Sequence, residues 1–93
     1  MPFDYELDDN LKRINEKIQK RDPQRIEILY KKIKQIINSD EFTIEHFKNL
    51  KHDFSDRKRV HIDKSFVLTF KYFKDKKFIL FLDFDHHDNI YKK

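Results

Sequence analysis

The stretch RKRVHI, residues 57–62, carries two guanidinium groups and an imidazole at every second position: Arg57, Arg59 and His61. A guanidinium offers a permanent positive charge and a planar fork of donors suited to phosphate oxygens, and an imidazole exchanges a proton near neutral pH. Close to the end of the chain, DFDHHD (residues 83–88) adds His86 and His87 among three aspartates. Together these groups are equipped for acid–base cleavage of a phosphodiester: cations hold the anion and absorb the charge that builds in the transition state, while imidazoles move protons. The same residues also allow a strand face that binds RNA without cutting it, and a divalent ion held by Asp83, Asp85 and His87. Adjacent histidines in an extended chain point to opposite faces, and no second element offers a further imidazole at ligand spacing, so neither a metal nor another cofactor is expected. Tyr91, four residues after His87, is the aromatic side chain best placed to stay clear of the core and stack on a base. His46 and His52 are expected on the surface.

These groups need a scaffold, and the apolar spacing outlines one. Phe3, Tyr5 and Leu7 alternate with Asp4 and Glu6, which predicts a strand over residues 3–7. Asp9 is expected to cap a helix carrying Leu11, Ile14 and Ile18 on one stripe. Asp22 and Pro23 end that helix and start a second, whose Ile26, Leu29, Tyr30, Ile33, Ile36 and Ile37 recur at helical spacing until Asn38-Ser39-Asp40. Residues 41–50 are expected as a loop or single turn. In RKRVHI, Val60 and Ile62 fall on one strand face and Arg57, Arg59 and His61 on the other. Residues 66–73 and 78–84 are dense in Phe, Leu, Ile and Val around a charged turn, which predicts a central hairpin; on its last strand Asp83, Asp85 and His87 are expected to share a face. The sum is an α+β layout in which two antiparallel helices cover one sheet face and leave the other partly open.

Composition narrows the possibilities further. A chain of 93 residues has room for one core, so a single domain over 1–93 is expected. Charged residues make up 41% of it, yet its ten Phe are too many for a disordered segment. The absence of Gly excludes the glycine loops that cradle nucleotide phosphates, and the absence of Cys excludes disulfides, thiolate metal sites and a cysteine nucleophile. The longest apolar run, residues 78–82, is far short of the roughly 20 residues a membrane helix needs, and MPFDYELDD lacks the basic and apolar parts of a signal peptide. A cytoplasmic protein without a membrane partner is expected. The net charge of +4 is unevenly spread: residues 1–10 hold four acids and no base, whereas residues 47–77 hold ten Lys or Arg against four Asp. An anionic partner should meet that basic stretch.

In NLKHDFSDRKRVHIDKSFVLTF (residues 49–70) followed by DFDHHDNIY (residues 83–91), the chain resembles the RelE/ParE superfamily of toxins, and within it the RelE and YafQ type of mRNA interferase. The resemblance implies a RelE-like fold, in which a three-stranded antiparallel meander completes a four-stranded sheet begun by the N-terminal strand. It implies a toxin of a type II toxin–antitoxin pair: an endoribonuclease that needs the ribosome and no metal, cuts mRNA in the decoding site and so inhibits translation, with a cognate antitoxin protein as partner. By the same resemblance His61 and His87 take the proton-transfer roles and Tyr91 orients or stacks on the substrate. Arg59 stabilises the phosphate charge, with Arg57 and Lys48 as further cations and Lys51 and Lys58 as additional phosphate contacts. Lys48 stands where some YafQ-like members have a histidine, and Ser65 where they have an acid. The superfamily also contains ParE-like proteins that poison gyrase and lack the histidine set, so His61, His87 and Tyr91 point to the ribonuclease branch. The alternatives are a gyrase-directed toxin and a non-catalytic module that binds RNA or the ribosome.

Overall fold

The structure is a computed structural model describing residues 2–50 and 56–91, the last of these by its backbone alone. A short strand, β1 (Asp4–Leu7), leads into α1 (Asp9–Arg21). The cap lies one residue earlier than the sequence suggested: the Asn10 N–H donates to the Asp8 carboxylate at 3.0 Å, and Asp9 becomes an acid in the first turn, where the helix dipole favours it. α2 (Pro23–Ile37) starts as the sequence predicts, with Pro23 at its head and the Asp22 carboxylate accepting the Arg25 N–H. In a chain without glycine, α2 ends on side chains instead: Asn38 Nδ2 donates to the Lys34 carbonyl at 2.8 Å and Ser39 Oγ to the Ile36 carbonyl at 2.6 Å. The segment expected as a loop or single turn holds a short helix, α3 (Glu41–His46), capped by Asp40 through the Thr43 N–H and anchored by the buried Ile44.

The three later strands are β2 (Lys58–Ile62), β3 (Phe66–Phe73) and β4 (Phe78–His86), paired antiparallel in succession. The α1–α2 hairpin separates β1 from this meander, and β1 joins it at the far side of β4, in parallel, with Asp4 opposite Phe78 and Leu7 opposite Phe81. The sheet is therefore mixed, in the order β1-β4-β3-β2. Leu11, Ile26, Leu29, Ile33 and Ile36 from the helices pack with Leu68, Phe70, Ile79, Phe81 and Phe84 from the sheet. The register shifts within β4, since Thr69 pairs with Asp83 but Phe70 with Phe81, which leaves Leu82 as an extra residue. This bulge keeps Phe81 and Phe84, three apart, on the helical side while Asp83 and Asp85 turn to the other.

Beyond His86 the chain does not stay extended. His87 opens a short helix, α4 (His87–Tyr91), which lies against the outer sheet face through Ile90, packed with Leu50 and Val67. His87 thus leaves the strand on which it was expected to sit beside Asp83 and Asp85. Among the described residues no helix is long and apolar enough to cross a membrane.

The two tight turns use residues other than glycine at positive φ: Asp63 at 58° and Lys77 at 48°. Arg25 steadies the first, its guanidinium 3.6 Å from the Asp63 carboxylate and 4.0 Å above the Phe66 ring centre. Lys77 sits at the end of the β3–β4 connection, in a conformation that costs an L-residue with a Cβ roughly 1–2 kcal/mol. Lys77→Gly should therefore stabilise the protein by about 0.5–1 kcal/mol, the relief exceeding the greater chain entropy that glycine gives the unfolded state. The urea midpoint should rise with an unchanged slope.

Candidate active site

Cross-strand partners share a sheet face, so the pairing places the polar side chains. Arg59 is opposite Thr69, which on its other side is opposite Asp83; His61 is opposite Val67, which is opposite Asp85. Val67 packs with Leu50 and Ile90, apart from the main core, so both rows lie on the face away from α1 and α2. Arg57, Arg59 and His61 thus share the outer face, as their spacing predicts. Lys48 joins them through an extended segment that runs antiparallel to β2: the Arg59 N–H donates to the Lys48 carbonyl and the Leu50 N–H to the Arg57 carbonyl, both at 2.8 Å. Leu50 turns to the outer face, and by alternation Lys48 does too.

The fold brings His61 and His87 together. The His87 backbone N–H donates to the Ser65 carbonyl at 2.7 Å, which fixes the start of α4 beside the β2–β3 turn. The two imidazoles then lie with ring centres 6.0 Å apart and planes tilted by 31°, both on exposed residues. His87 Nδ1 is also 3.3 Å from the Asp88 carboxylate. Two proton-exchanging groups at this separation, beside a strand that carries Arg59 and Arg57, have the parts for moving protons at both ends of one phosphodiester. His86 is used differently: its ring meets the edge of Phe66, and its Nδ1 accepts the Asp88 N–H at 3.2 Å. His46 is exposed on α3, its Nδ1 2.7 Å from the Phe42 carbonyl. Lys51, His52 and the Tyr91 side chain lie outside the described residues.

Lys58 turns away from the other cations. Alternation sets it on the side of Val60 and Ile62, and its ammonium donates to the Glu45 carbonyl at 3.1 Å, the Phe47 carbonyl at 3.2 Å and Asn49 Oδ1 at 3.2 Å. Partial burial pulls its pKa down, opposed by the nearby Glu45 carboxylate. The alternation that separates Lys58 from Arg57 and Arg59 is visible in RKRVHI itself. Two features of the outer face were not evident from the sequence. One is its polar floor, where Asp83 is 7% exposed and the buried Thr69 hydroxyl has no hydrogen-bond partner among the described residues. The other is the Leu50–Val67–Ile90 cluster that seats α4, assembled from segments far apart in the chain. Among the described residues no three His, Asp or Glu are gathered closely enough to hold a metal ion.

A protein of Methanocaldococcus jannaschii named "Putative toxin RelE4" is 45% identical over 91 residues, covering 98% of this chain and 93% of its own length. The chain belongs to the RelE toxin family. An uncharacterized protein of Methanosarcina mazei is 38% identical over 76 residues, 82% of this chain and 84% of its own. The RelE fold is matched by the crystal structure of the toxin–antitoxin complex RelBE2 from Mycobacterium tuberculosis, with a TM-score of 0.75 at 11% identity over 94% of this chain and 93% of that one. The solution structure of the conserved hypothetical protein HP0892 from Helicobacter pylori gives 0.63 at 16% identity, over 95% and 98%. No protein-family model matches the sequence.

In this RelE-family chain α4 is seated by few apolar contacts, so Ile90 should govern the histidine pair. Ile90→Ala is expected to cost about 2 kcal/mol, the low end for a buried aliphatic truncation because its cluster with Leu50 and Val67 is small. It should also weaken the nuclear Overhauser contacts between the His61 and His87 rings while leaving those among Phe70, Phe81 and Phe84 intact.

Proposed function

We propose that this protein is the toxin of a type II toxin–antitoxin pair and acts in the cytoplasm as a ribosome-dependent endoribonuclease, cutting mRNA in the decoding site without a metal. The observation that carries the reading is the pairing of His61 with His87, rings 6.0 Å apart, on the sheet face that also bears Arg57 and Arg59. The near full-length relative named as a RelE toxin and the fold shared with a toxin–antitoxin complex support it.

The reaction is intramolecular in the RNA. One imidazole removes the proton of a ribose 2′-hydroxyl, whose oxygen attacks the adjacent phosphorus. The bond to the 5′-oxygen of the next nucleotide breaks as the other imidazole donates a proton to it. The products are a 2′,3′-cyclic phosphate and a free 5′-hydroxyl, and the two histidines have exchanged protonation states. The phosphorane carries extra negative charge, and Arg59, with Arg57 and Lys48 beside it, stabilises that charge. Tyr91, at the end of α4, orients or stacks on a base of the substrate. The ribosome supplies mRNA held in an extended form, and the cationic strand favours entry into an RNA-lined site. A cognate antitoxin, acidic or amphipathic where it meets the basic surface, keeps the toxin inactive.

His87→Ala and His61→Ala should each lower cleavage of a translated reporter mRNA by roughly 10²-fold or more, the usual worth of one positioned acid or base. Primer extension on an in-vitro translation reaction reads this: cuts within codons that require ribosomes and fade in both variants are expected. Intact mRNA with the wild-type protein, or cuts undiminished in His87→Ala, would contradict the reading.

A further inference from the structure

Lys58 reaches across to a segment nine to thirteen residues earlier in the chain. An ammonium has three N–H donors, and this one has three acceptors within 3.2 Å: the Glu45 carbonyl near the end of α3, the Phe47 carbonyl just past it, and the Asn49 side chain. The backbone repeats the tie, since Asn49 and Lys58 are bridge partners flanked by the hydrogen bonds Arg59 N–H to Lys48 and Leu50 N–H to Arg57. A cation there also answers the partial negative charge of α3's last carbonyls. With all three donors engaged on the helical side of the sheet, Lys58 has none left for a phosphate on the outer face.

What the tie holds is the outer face. Residues 47–50 leave α3 without regular structure of their own, and their course along β2 decides where Lys48 and Leu50 point. Leu50 is one of the three side chains seating α4, together with Val67 and Ile90, and α4 begins at His87. The Lys58 ammonium is thus linked through segment 47–50 to Leu50 and Ile90, and so to the helix that begins at His87. We propose that Lys58 is a positioning residue: by clamping the end of α3 and segment 47–50 onto β2, it sets Lys48 on the outer face and holds the seat of the helix that carries His87. This rests on the ribonuclease reading only for its effect on cleavage; the clamp itself is a statement about the fold.

The test compares Lys58→Met, which keeps most of the unbranched stem and removes its donors, with wild type and with Asn49→Ala, a milder break of the same tie. Amide hydrogen exchange of Leu50 and Arg59 should speed up by roughly 10-fold or more in Lys58→Met and by less in Asn49→Ala, with Phe70 and Phe81 unchanged. Cleavage of translated reporter mRNA should fall by about 10-fold, while the salt dependence of binding to a short single-stranded RNA keeps its wild-type slope. A lysine in direct contact with phosphate would instead lower that slope by about 0.7 when removed. Unchanged protection of Leu50 and Arg59 in both variants, or a shallower salt slope in Lys58→Met, overturns the proposal. So does Lys58→Arg with wild-type cleavage while the protection is lost. If wild-type protein neither binds nor cuts RNA, the ribonuclease reading fails and the exchange data alone still decide the clamp.

Discussion

Side-chain alternation along β2, β3 and β4 is the constraint from which the rest of this molecule follows. Phe70, Phe81, Phe84, Leu68, Ile79 and Ile62 are all buried against the two long helices. Each such side chain contributes roughly 1.5–3 kcal/mol when removed from water. A one-residue slip of any strand would expose its whole apolar set, so the register is strongly held. With one face committed to the core, Arg59, His61, Thr69 and Asp83 have only the other face to occupy. The polar arrangement needs no separate stabilisation to exist: it is the complement of the phenylalanine core. The bulge at Leu82 belongs to the same logic, because uninterrupted alternation through Leu82 would put Phe81 and Phe84 on opposite faces and turn an aspartate toward the core.

The elements with a strict apolar period were legible in the sequence. α2 with its Asp22–Pro23 start, the RKRVHI strand and the Phe-rich hairpin stand where their spacing puts them, and the α+β class follows from their order. What was less legible depended on tertiary contacts. α3 is only six residues long, too short for its period to show, and it holds through Ile44 and the Asp40 cap. The spacing of DFDHHDNIY carries β4 on through His87 and nothing in it marks the switch to helix; the His87 N–H bond to the Ser65 carbonyl and the seat under Ile90 make it. The parallel pairing of β1 with β4 is equally invisible in either strand alone.

The candidate site divides in the same way. That Arg57, Arg59 and His61 share a face is local information, fixed by period two, and the same period sends Lys58 to the opposite side. That His87 meets His61 is non-local: one imidazole stands on a sheet strand and the other on a five-residue helix supported by a small satellite cluster. The two halves differ in robustness as well. β2 is paired with β3 along its whole length and bonded at Arg59 to segment 48–50 on its other side, whereas α4 rests on Ile90, the His87 N–H bond to Ser65 and two side-chain bonds to the end of β4, Asn89 to Asp85 and the Asp88 N–H to His86. A few kcal/mol therefore separate an assembled histidine pair from a dispersed one, even though the sheet beneath is secure.

The claim that this outer face drives attack by the ribose 2′-hydroxyl is tested most directly by the chemistry of the cut ends. RNA fragments from a translation reaction containing the purified protein can be assayed for end groups by enzymatic ligation and by mass spectrometry. The account predicts 2′,3′-cyclic phosphate, or the 3′-phosphate it opens to, upstream of the cut and a 5′-hydroxyl downstream. A 3′-hydroxyl with a 5′-phosphate would mean that water rather than the 2′-hydroxyl attacks phosphorus, and would contradict it.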